Sequence, residues 1–322
     1  MIKNKSLENK LYSINELINE KAFDKAVDST NQLIKEFPES HEAFSIKGAI
    51  ECYLYKFDEA LISFNKSKEL KCPIKIFKIN IAGYHAKKGN YNYNNGNYDE
   101  ALDEFMKVTD YSLERAEVAF SNIGNTLLKL ERIDEAIKYY KKSLKSLPSY
   151  TIALSNLANL YMNIKDFDSA LPYAQKCYEN ESSQPFYLIN YGRVLEELGN
   201  ISDAKKLYYK LLMIDPNNQK TFFVIGNFLL RSNQYKEIIS LFNSEIKIIE
   251  SHSSLLNILG QAYIRIENFD EGIKYFLSGY DKNNMNYEIS LNLSNAYKII
   301  GNKKESEKFM KKSEEILKAS DE

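Results

Sequence analysis

Residues 117–150 read EVAFSNIGNTLLKLERIDEAIKYYKKSLKSLPSY, and this stretch decides the fold. It carries one small residue at Gly124 and a second, twelve residues later, at Ala136. Residues of the first kind recur along the chain at Gly48, Gly83, Gly124, Ala158, Gly192, Gly226, Gly260 and Ser294, the last six each 34 apart. Residues of the second kind follow most of them at Ala60, Ala136, Ala170, Ala204, Ile238, Gly272 and Ser306. Two small residues per period let two helices approach closely, and a regular period of this length predicts an all-α solenoid of stacked repeats.

Each period contains two blocks of apolar residues at helical spacing, separated by a short polar turn. In residues 151–184 the turn holds Asp168, which we expect to cap the second helix by accepting a backbone N–H. The residue before it, Phe167, is large and apolar, as in most other periods. The sequence therefore predicts a helix–turn–helix unit in every repeat.

These residues resemble the pattern of the tetratricopeptide repeat family. Residues 117–150 supply its core positions with Phe120, Ile123, Gly124, Leu127, Ala136, Tyr140, Ser143 and Pro148. Residues 185–218 supply them with Leu188, Tyr191, Gly192, Leu195, Ala204, Tyr208, Leu211 and Pro216. The resemblance implies a right-handed superhelix of about nine repeats in one solenoid over 1–322, and a groove that binds another protein. The expected repeats cover 7–40, 41–75, 76–116, 117–150, 151–184, 185–218, 219–252, 253–286 and 287–320, the last with a C-terminal capping helix.

One irregularity interrupts the period, because Gly83 and Gly124 are 41 residues apart. The motif Gly-Asn-Tyr occurs twice within 89–98, seven residues apart. A duplicated turn is the simplest interpretation. A surface loop rich in Tyr and Asn that binds a partner is the alternative.

Asparagine recurs on the first helix of the repeats, at positions that the resemblance assigns to the concave face. Position 6 holds Asn122, Asn156, Asn190 and Asn292; position 9 holds Asn15, Asn125, Asn159, Arg193, Asn227, Gln261 and Asn295. Asparagine is a poor helix former, but its amide can pair with the N–H and C=O of an extended peptide. This double row is similar to the asparagine ladder of O-linked N-acetylglucosamine transferases. It predicts a peptide-binding face, with Phe186 and Phe223 as apolar pockets; the competing interpretation is that any solvated repeat surface must be polar.

Composition narrows the function further. Forty-three Lys and Arg balance 44 Asp and Glu, which argues against nucleic acid as a partner. No apolar run is long enough for membrane insertion, and three unevenly spaced cysteines fit a reducing compartment, so we expect a cytoplasmic protein. No histidine, cysteine or carboxylate arrangement suggests a metal, a cofactor or catalysis. The expected function is a protein-binding scaffold, with a self-associating scaffold or the targeting subunit of a separate enzyme as alternatives.

Overall fold

The computed structural model describes residues 2–112 and 114–320, so positions 1, 113, 321 and 322 of the predicted array lie outside the described residues. Within these ranges the chain forms nineteen helices and no strand. The helices are α1 (Ile2–Asn19), α2 (Phe23–Glu36), α3 (His41–Tyr53), α4 (Phe57–Glu69), α5 (Ile74–Asn94), α6 (Tyr98–Tyr111), α7 (Ala116–Lys129), α8 (Ile133–Ser146), α9 (Thr151–Asn163), α10 (Phe167–Asn180), α11 (Pro185–Glu197), α12 (Ile201–Ile214), α13 (Gln219–Arg231), α14 (Tyr235–Ser244), α15 (Ile246–Glu250), α16 (Ser253–Arg265), α17 (Phe269–Lys282), α18 (Tyr287–Ile299) and α19 (Lys303–Ser320). They form nine consecutive hairpins, and the short α15 extends the seventh.

The corner of every hairpin is made by one residue with positive φ. These residues are Lys21, Tyr55, Gly96, Glu131, Lys165, Gly199, Asn233, Glu267 and Gly301. At Lys165 the chain closes with two bonds: its N–H donates to the Met162 carbonyl, and the next N–H, that of Asp166, donates to the Tyr161 carbonyl. This pairing is the Schellman arrangement, which satisfies carbonyls at the end of the first helix.

The second helices begin two residues earlier than the sequence predicted. Phe167 is already the first residue of α10, and the cap is Asp166, whose side chain accepts the Ser169 N–H at 3.1 Å. Asp168 therefore lies inside the first turn, where its carboxylate favours the positive end of the helix dipole. The expected capping role of Asp168 was wrong, because the left-handed residue Lys165 completes the turn sooner than a polar loop would.

Close packing within the hairpins depends on a glycine of the first helix and an aromatic ring sixteen residues later. A Cβ on Gly124 would lie 2.7 Å from the ring of Tyr140. The same contact joins Gly48 to Phe64, Gly89 to Phe105, Gly192 to Tyr208, Gly226 to Phe242 and Gly260 to Phe276. No larger residue fits at these glycines without displacing the ring.

The third hairpin departs from the sequence prediction. Its core glycine is Gly89, whereas a Cβ on Gly83 would meet no atom within 4 Å. The extra residues do not form a turn: α5 is a continuous helix of 21 residues ending at Asn94, and only Asn95–Asn97 form the corner. The duplicated turn predicted for 89–98, and the loop offered as its alternative, are therefore wrong. Seven residues rotate a helix by about two full turns, so an insertion of that length extends α5 and leaves its packed face unchanged.

Contacts divide the chain into two compact units, Met1–Leu157 and Ala158–Glu322, and the division falls inside α9. Buried side chains of the first unit form separate clusters among the described residues. They centre on Ile14 and Leu33, on Phe64 and Phe77, and on Ala82 and Val108. The second unit holds a long cluster that includes Leu188, Phe228 and Phe242, and another around Phe276 and Phe309. Each hairpin thus contributes its buried face to a core shared with its neighbours in the same unit.

Candidate functional site

The predicted binding residues lie on the first helices of consecutive hairpins, and we call positions 6 and 9 of these helices the ladder face. In the first unit the ladder face carries Asn122, Asn125 and Asn156. In the second unit it carries Asn159, Asn190, Arg193, Asn227, Gln261, Asn292 and Asn295, and Phe186 and Phe223 stand beside it on α11 and α13. Most of these residues are partly or fully exposed.

In the first unit, Asn125 is the centre of a hydrogen-bonded group. Its Oδ1 accepts from the hydroxyl of Tyr140 at 2.6 Å and from Nδ2 of Asn156 at 2.7 Å. Tyr140 is fully buried, and burial raises the pKa of its phenol. Asn125 thereby satisfies a buried hydroxyl and connects two hairpins, while its own amide N–H groups have no protein partner among the described residues. Asn122 makes no side-chain hydrogen bond within the same part of the chain.

The second unit repeats this connection between hairpins. Nδ2 of Asn190 donates to Oδ1 of Asn159 at 2.9 Å, so position 6 of one repeat again bonds position 9 of the repeat before it. Asn190 is only 9 % exposed, so most of its surface is turned away from solvent. Further along, Nδ2 of Asn292 donates to Oδ1 of Asn257, also at 2.9 Å. Asn257 is buried and was not among the predicted residues, because it lies at position 5, outside the two rows.

One repeat replaces the asparagine acceptor with a carboxylate. Tyr208 corresponds to Tyr140, but position 9 of its repeat is Arg193, which cannot accept a hydrogen bond. Its hydroxyl donates instead to Oε2 of Glu196 at 3.2 Å. Arg231 of the next hairpin then pairs with both oxygens of Glu196, at 2.6 and 3.1 Å. The sequence analysis did not predict this pair. A signal was present, because a buried tyrosine whose repeat has a cation at position 9 needs a hydrogen-bond acceptor from another position.

Among the described residues, several on or beside the ladder face make no hydrogen bond to another hairpin. Phe186 is 53 % exposed and Phe223 is 47 % exposed, and Arg193 is also exposed. The amide of Asn227 donates to the carbonyl of Phe223, on its own helix, at 2.8 Å. Two exposed aromatic rings and an exposed cation therefore lie on α11 and α13.

A cleft of about 430 Å³ lies between the hairpins of α16–α17 and α18–α19. Gln261, Asn292 and Asn295 line it, together with Arg265 and Ile299 on the same helices. Its lining mixes amide, cationic and aliphatic groups. The cleft therefore places three predicted residues beside apolar surface.

The ladder face also includes a residue that the sequence register concealed. With Gly89 as the core glycine of the third hairpin, position 9 of that repeat is Asn90, which is exposed. The signal was present in the sequence, because Ala101 follows Gly89 by the usual twelve residues. Choosing Gly83 instead displaced the row by six positions.

The ionisable groups give little sign of catalytic chemistry. All three cysteines are buried, and burial raises the pKa of Cys52 and of Cys177 to about 12. His85 bonds the buried carboxylate of Glu104 at 2.6 Å, where Lys88 and Lys107 also lie within 3.5 Å. Burial alone would raise the pKa of Glu104, but the bond from His85 and these cations lower it to about 2. Among the described residues no group of three or more His, Cys, Asp or Glu is arranged to hold a metal ion.

Helical hairpins in tandem, with a first-helix glycine packed on a second-helix ring, define a helical repeat protein. Three tetratricopeptide repeat models match residues 118–150, 152–179 and 287–316. The chain therefore contains tetratricopeptide repeats, as predicted. A model described as anaphase-promoting complex (cyclosome) subunit 3 matches residues 197–278.

Solved structures agree with this fold. A tetratricopeptide repeat protein from Parabacteroides merdae is 14 % identical, with a TM-score of 0.57, covering 73 % of this chain and 93 % of its own. PilF of Pseudomonas aeruginosa is also 14 % identical, with a TM-score of 0.52, covering 72 % of this chain and all of its own. The predicted all-α repeat fold is confirmed, and at these identities the likeness extends to the fold alone. In the part of the chain that the structure describes, no helix has the length and apolar character needed to cross a membrane.

Proposed function

We propose that this protein is a scaffold that binds extended segments of partner proteins along the ladder face, without a cofactor, metal or catalytic step. Tetratricopeptide repeat proteins are protein-interaction scaffolds. The observation that carries the finer proposal is the bonding of the asparagines to one another between hairpins. Three unevenly spaced cysteines fit a reducing compartment, so we place the protein in the cytoplasm.

The bonds between the asparagines leave several amide donors and acceptors available to a ligand. An asparagine amide has two donors and an acceptor with two lone pairs. Asn156 and Asn190 each use one donor in the bonds described, and Asn125 uses its acceptor. The remaining groups belong to side chains whose orientation is already fixed, so binding a peptide backbone costs less side-chain entropy than with free rotamers.

Exposed apolar and charged groups add the means for selectivity. Phe186 and Phe223 expose aromatic rings on adjacent first helices, and rings of this kind are common anchors at protein interfaces. Arg193 lies between them in sequence and adds an exposed cation. We therefore expect extended ligands with apolar side chains and no strict sequence elsewhere, since amides bind backbone groups of any residue.

The test is a selection of unstructured twelve-residue peptides displayed on phage, followed by affinity measurements on synthetic versions. Phe186→Ala and Asn227→Ala, both in the second unit, should each weaken binding by about two- to tenfold, the range of one lost contact of roughly 0.5–1.5 kcal/mol. Methylation of alternate peptide nitrogens should weaken binding by a similar factor, because it removes backbone donors. Lys138→Ala, an exposed change on the second helix α8, is the matched control and should have no effect.

Two results would contradict the proposal. One is peptide binding that Lys138→Ala weakens as much as the ladder-face changes do. The other is binding that tolerates methylation at every peptide nitrogen, because the amides would then play no part in recognition.

A further inference from the structure

The two extra turns of α5 create an apolar surface that no regular repeat has. Gly89 is the sixteenth residue of α5, whereas Gly192 is the eighth of α11. The added segment buries Phe77 and Ile81 against the second hairpin. On another side it leaves Ile76 43 % and Ile79 37 % exposed, followed at the next turn by the exposed Gly83.

This stripe continues into a groove of about 320 Å³, within the range of ligand pockets. One wall is the face of α5 that carries Ile79, Ala82, Gly83 and Ala86. The other walls carry Phe105 and Val108 from α6, Val118 and Ala119 from α7, and the mouth holds Ser112, Glu114, Arg115 and Asn122. Ala82, Val108 and Ala119 pack together as its floor. The space over Gly83 is open, since a Cβ there would meet nothing within 4 Å.

The groove is bordered by positive charge. Lys75 pairs with Glu114 at 3.3 Å, while Arg115 has no ionic partner among the described residues. The border therefore carries two cations against one carboxylate. Arg115 also precedes α7 without capping it by a side chain, so the positive end of that helix dipole adds to the field. An occupant with carboxylates would complement this border, and a basic one would be repelled.

The geometry points to an amphipathic helix of a partner protein, with acidic residues flanking its apolar face, as the occupant of the α5–α6–α7 groove. The stripe from Ile76 to Ala86 covers eleven residues, a rise of about 15 Å from the first to the last, which matches two to three turns of a docked helix. Anchors at i, i+3 or i+4, and i+7 would lie over Ile76, Ile79 and Gly83. This groove is separate from the ladder face except for Asn122, so its test avoids that residue.

A larger side chain at Gly83 would fill the groove without displacing a core residue. Gly83→Leu places a side chain in open space and replaces a helical glycine with a better helix former. Gly83→Ala is the matched control, because it adds only one methyl group. Arg115→Asn removes the unpaired charge and keeps a residue type that accepts the left-handed conformation found there, at φ 56°.

The experiment selects fourteen-residue peptides from a phage library biased toward helix, using the full chain as bait, and measures the enriched peptides by fluorescence anisotropy. The expected peptides carry apolar residues at helical spacing and Asp or Glu beside them. Gly83→Leu should weaken their binding at least tenfold, and Gly83→Ala less than twofold. Arg115→Asn should weaken it severalfold and reduce its dependence on salt.

Several outcomes would overturn the inference. They are no enrichment, enrichment of basic peptides, or equal binding to the Gly83→Leu chain while circular dichroism shows that chain to be folded. A concentration-dependent mass in sedimentation that Gly83→Leu abolishes would assign the groove to a second copy instead. Ladder-face peptides should bind the Gly83→Leu chain normally, which keeps this test distinct from that of the proposed function.

Discussion

The third and fourth hairpins share the same glycine–ring contact and differ in the length of the first helix and in the polar residues near that contact. Both place a first-helix glycine against a ring sixteen residues later, Gly89 on Phe105 and Gly124 on Tyr140. Yet α5 has 21 residues and α7 has 14. The comparison teaches that a repeat keeps its glycine–ring contact when its first helix lengthens by whole turns, and that the added length is available for new surface.

Their polar groups differ as well. The fourth hairpin buries a tyrosine hydroxyl that Asn125 satisfies, whereas the third buries a phenylalanine and places the carboxylate of Glu104 among His85, Lys88 and Lys107. The residue that corresponds to Glu104 in the fourth hairpin is Tyr139, whose ring lies 4.3 Å from the ammonium of Lys142. One repeat is thus held by a buried ionic group and the other by neutral hydrogen bonds.

The largest expected difference between the two hairpins is in their dependence on pH. Because the folded state holds the pKa of Glu104 at about 2, below its ordinary 4.5, the ionised carboxylate stabilises the fold above about pH 4.5. That contribution, about 3 kcal/mol, is lost as the pH falls from 4.5 toward 2. Glu104→Gln should lower the free energy of unfolding by a similar amount at pH 7, measured by urea denaturation, and much less at pH 2.5. Tyr139→Phe is the matched change in the fourth hairpin and should show no such dependence; equal losses at both pH values for Glu104→Gln would refute the ionic role.

The next largest expected effect on stability comes from substituting the glycines of the first helices. Gly89→Ala should destabilise the chain by about 2 kcal/mol, because the new methyl group would lie 2.7 Å from the Phe105 ring. Gly124→Ala should do the same against Tyr140. Gly83→Ala should instead stabilise the chain by roughly 0.5–1 kcal/mol, since it removes a flexible residue from an open helical position. Thermal denaturation followed by circular dichroism measures all three, and destabilisation by Gly83→Ala would place the packed face elsewhere.

A smaller difference separates the two asparagines at position 9. Asn125→Ala should cost about 1–2 kcal/mol, because it leaves the buried Tyr140 hydroxyl and an amide of Asn156 without their acceptor. Asn90→Ala should change stability by less than about 0.5 kcal/mol, since Phe105 presents no hydroxyl to its repeat. Tyr140→Phe combined with Asn125→Ala should cost less than the sum of the single changes. Additive losses measured by urea denaturation would argue against a shared bond.

The smallest effect concerns the two corners. Gly96, with φ 81°, forms the corner of the third hairpin, and Glu131, with φ 59°, forms that of the fourth. Gly96→Ala should destabilise by about 1 kcal/mol, because a side chain strains the left-handed conformation. Glu131→Gly should be neutral or stabilising by up to about 0.5 kcal/mol, as relief of strain offsets the greater freedom of the unfolded chain. The thermal midpoint should fall for Gly96→Ala and stay the same or rise for Glu131→Gly, and a fall for both changes would contradict this comparison.

The sequence predicted the hairpins because the small residues and the 34-residue period are local and repeated. It assigned the wrong glycine in the third hairpin because Gly83 and Gly89 lie six residues apart in one long helix, and only the contact with Phe105 distinguishes them. It placed the second-helix cap at Asp168 because a left-handed conformation at Lys165 is not encoded by a glycine there.

For the candidate site, the composition and spacing of the sequence identified the two rows of polar residues at positions 6 and 9. They did not identify the hydrogen bonds between those residues. The burial of Asn190 and its bond to Asn159 depend on how closely adjacent hairpins approach, which residue type alone does not report. The Glu196–Arg231 pair likewise joins two repeats, 35 residues apart in sequence. Binding by the ladder face stays a prediction that the proposed peptide measurements test.

The backbone amides at the hairpin corners can be used to measure local unfolding of each repeat. In every hairpin the amide that follows the left-handed residue donates across five residues, from Ala22 in the first to Asn302 in the ninth. Corner amides normally exchange their hydrogens with water quickly, but these are held until their own hairpin frays. We therefore expect these nine amides, one per repeat, to exchange slowly. The exchange rate of each one would report the stability of its own hairpin. Such a signal would reveal which hairpin loosens first and which one a bound ligand tightens.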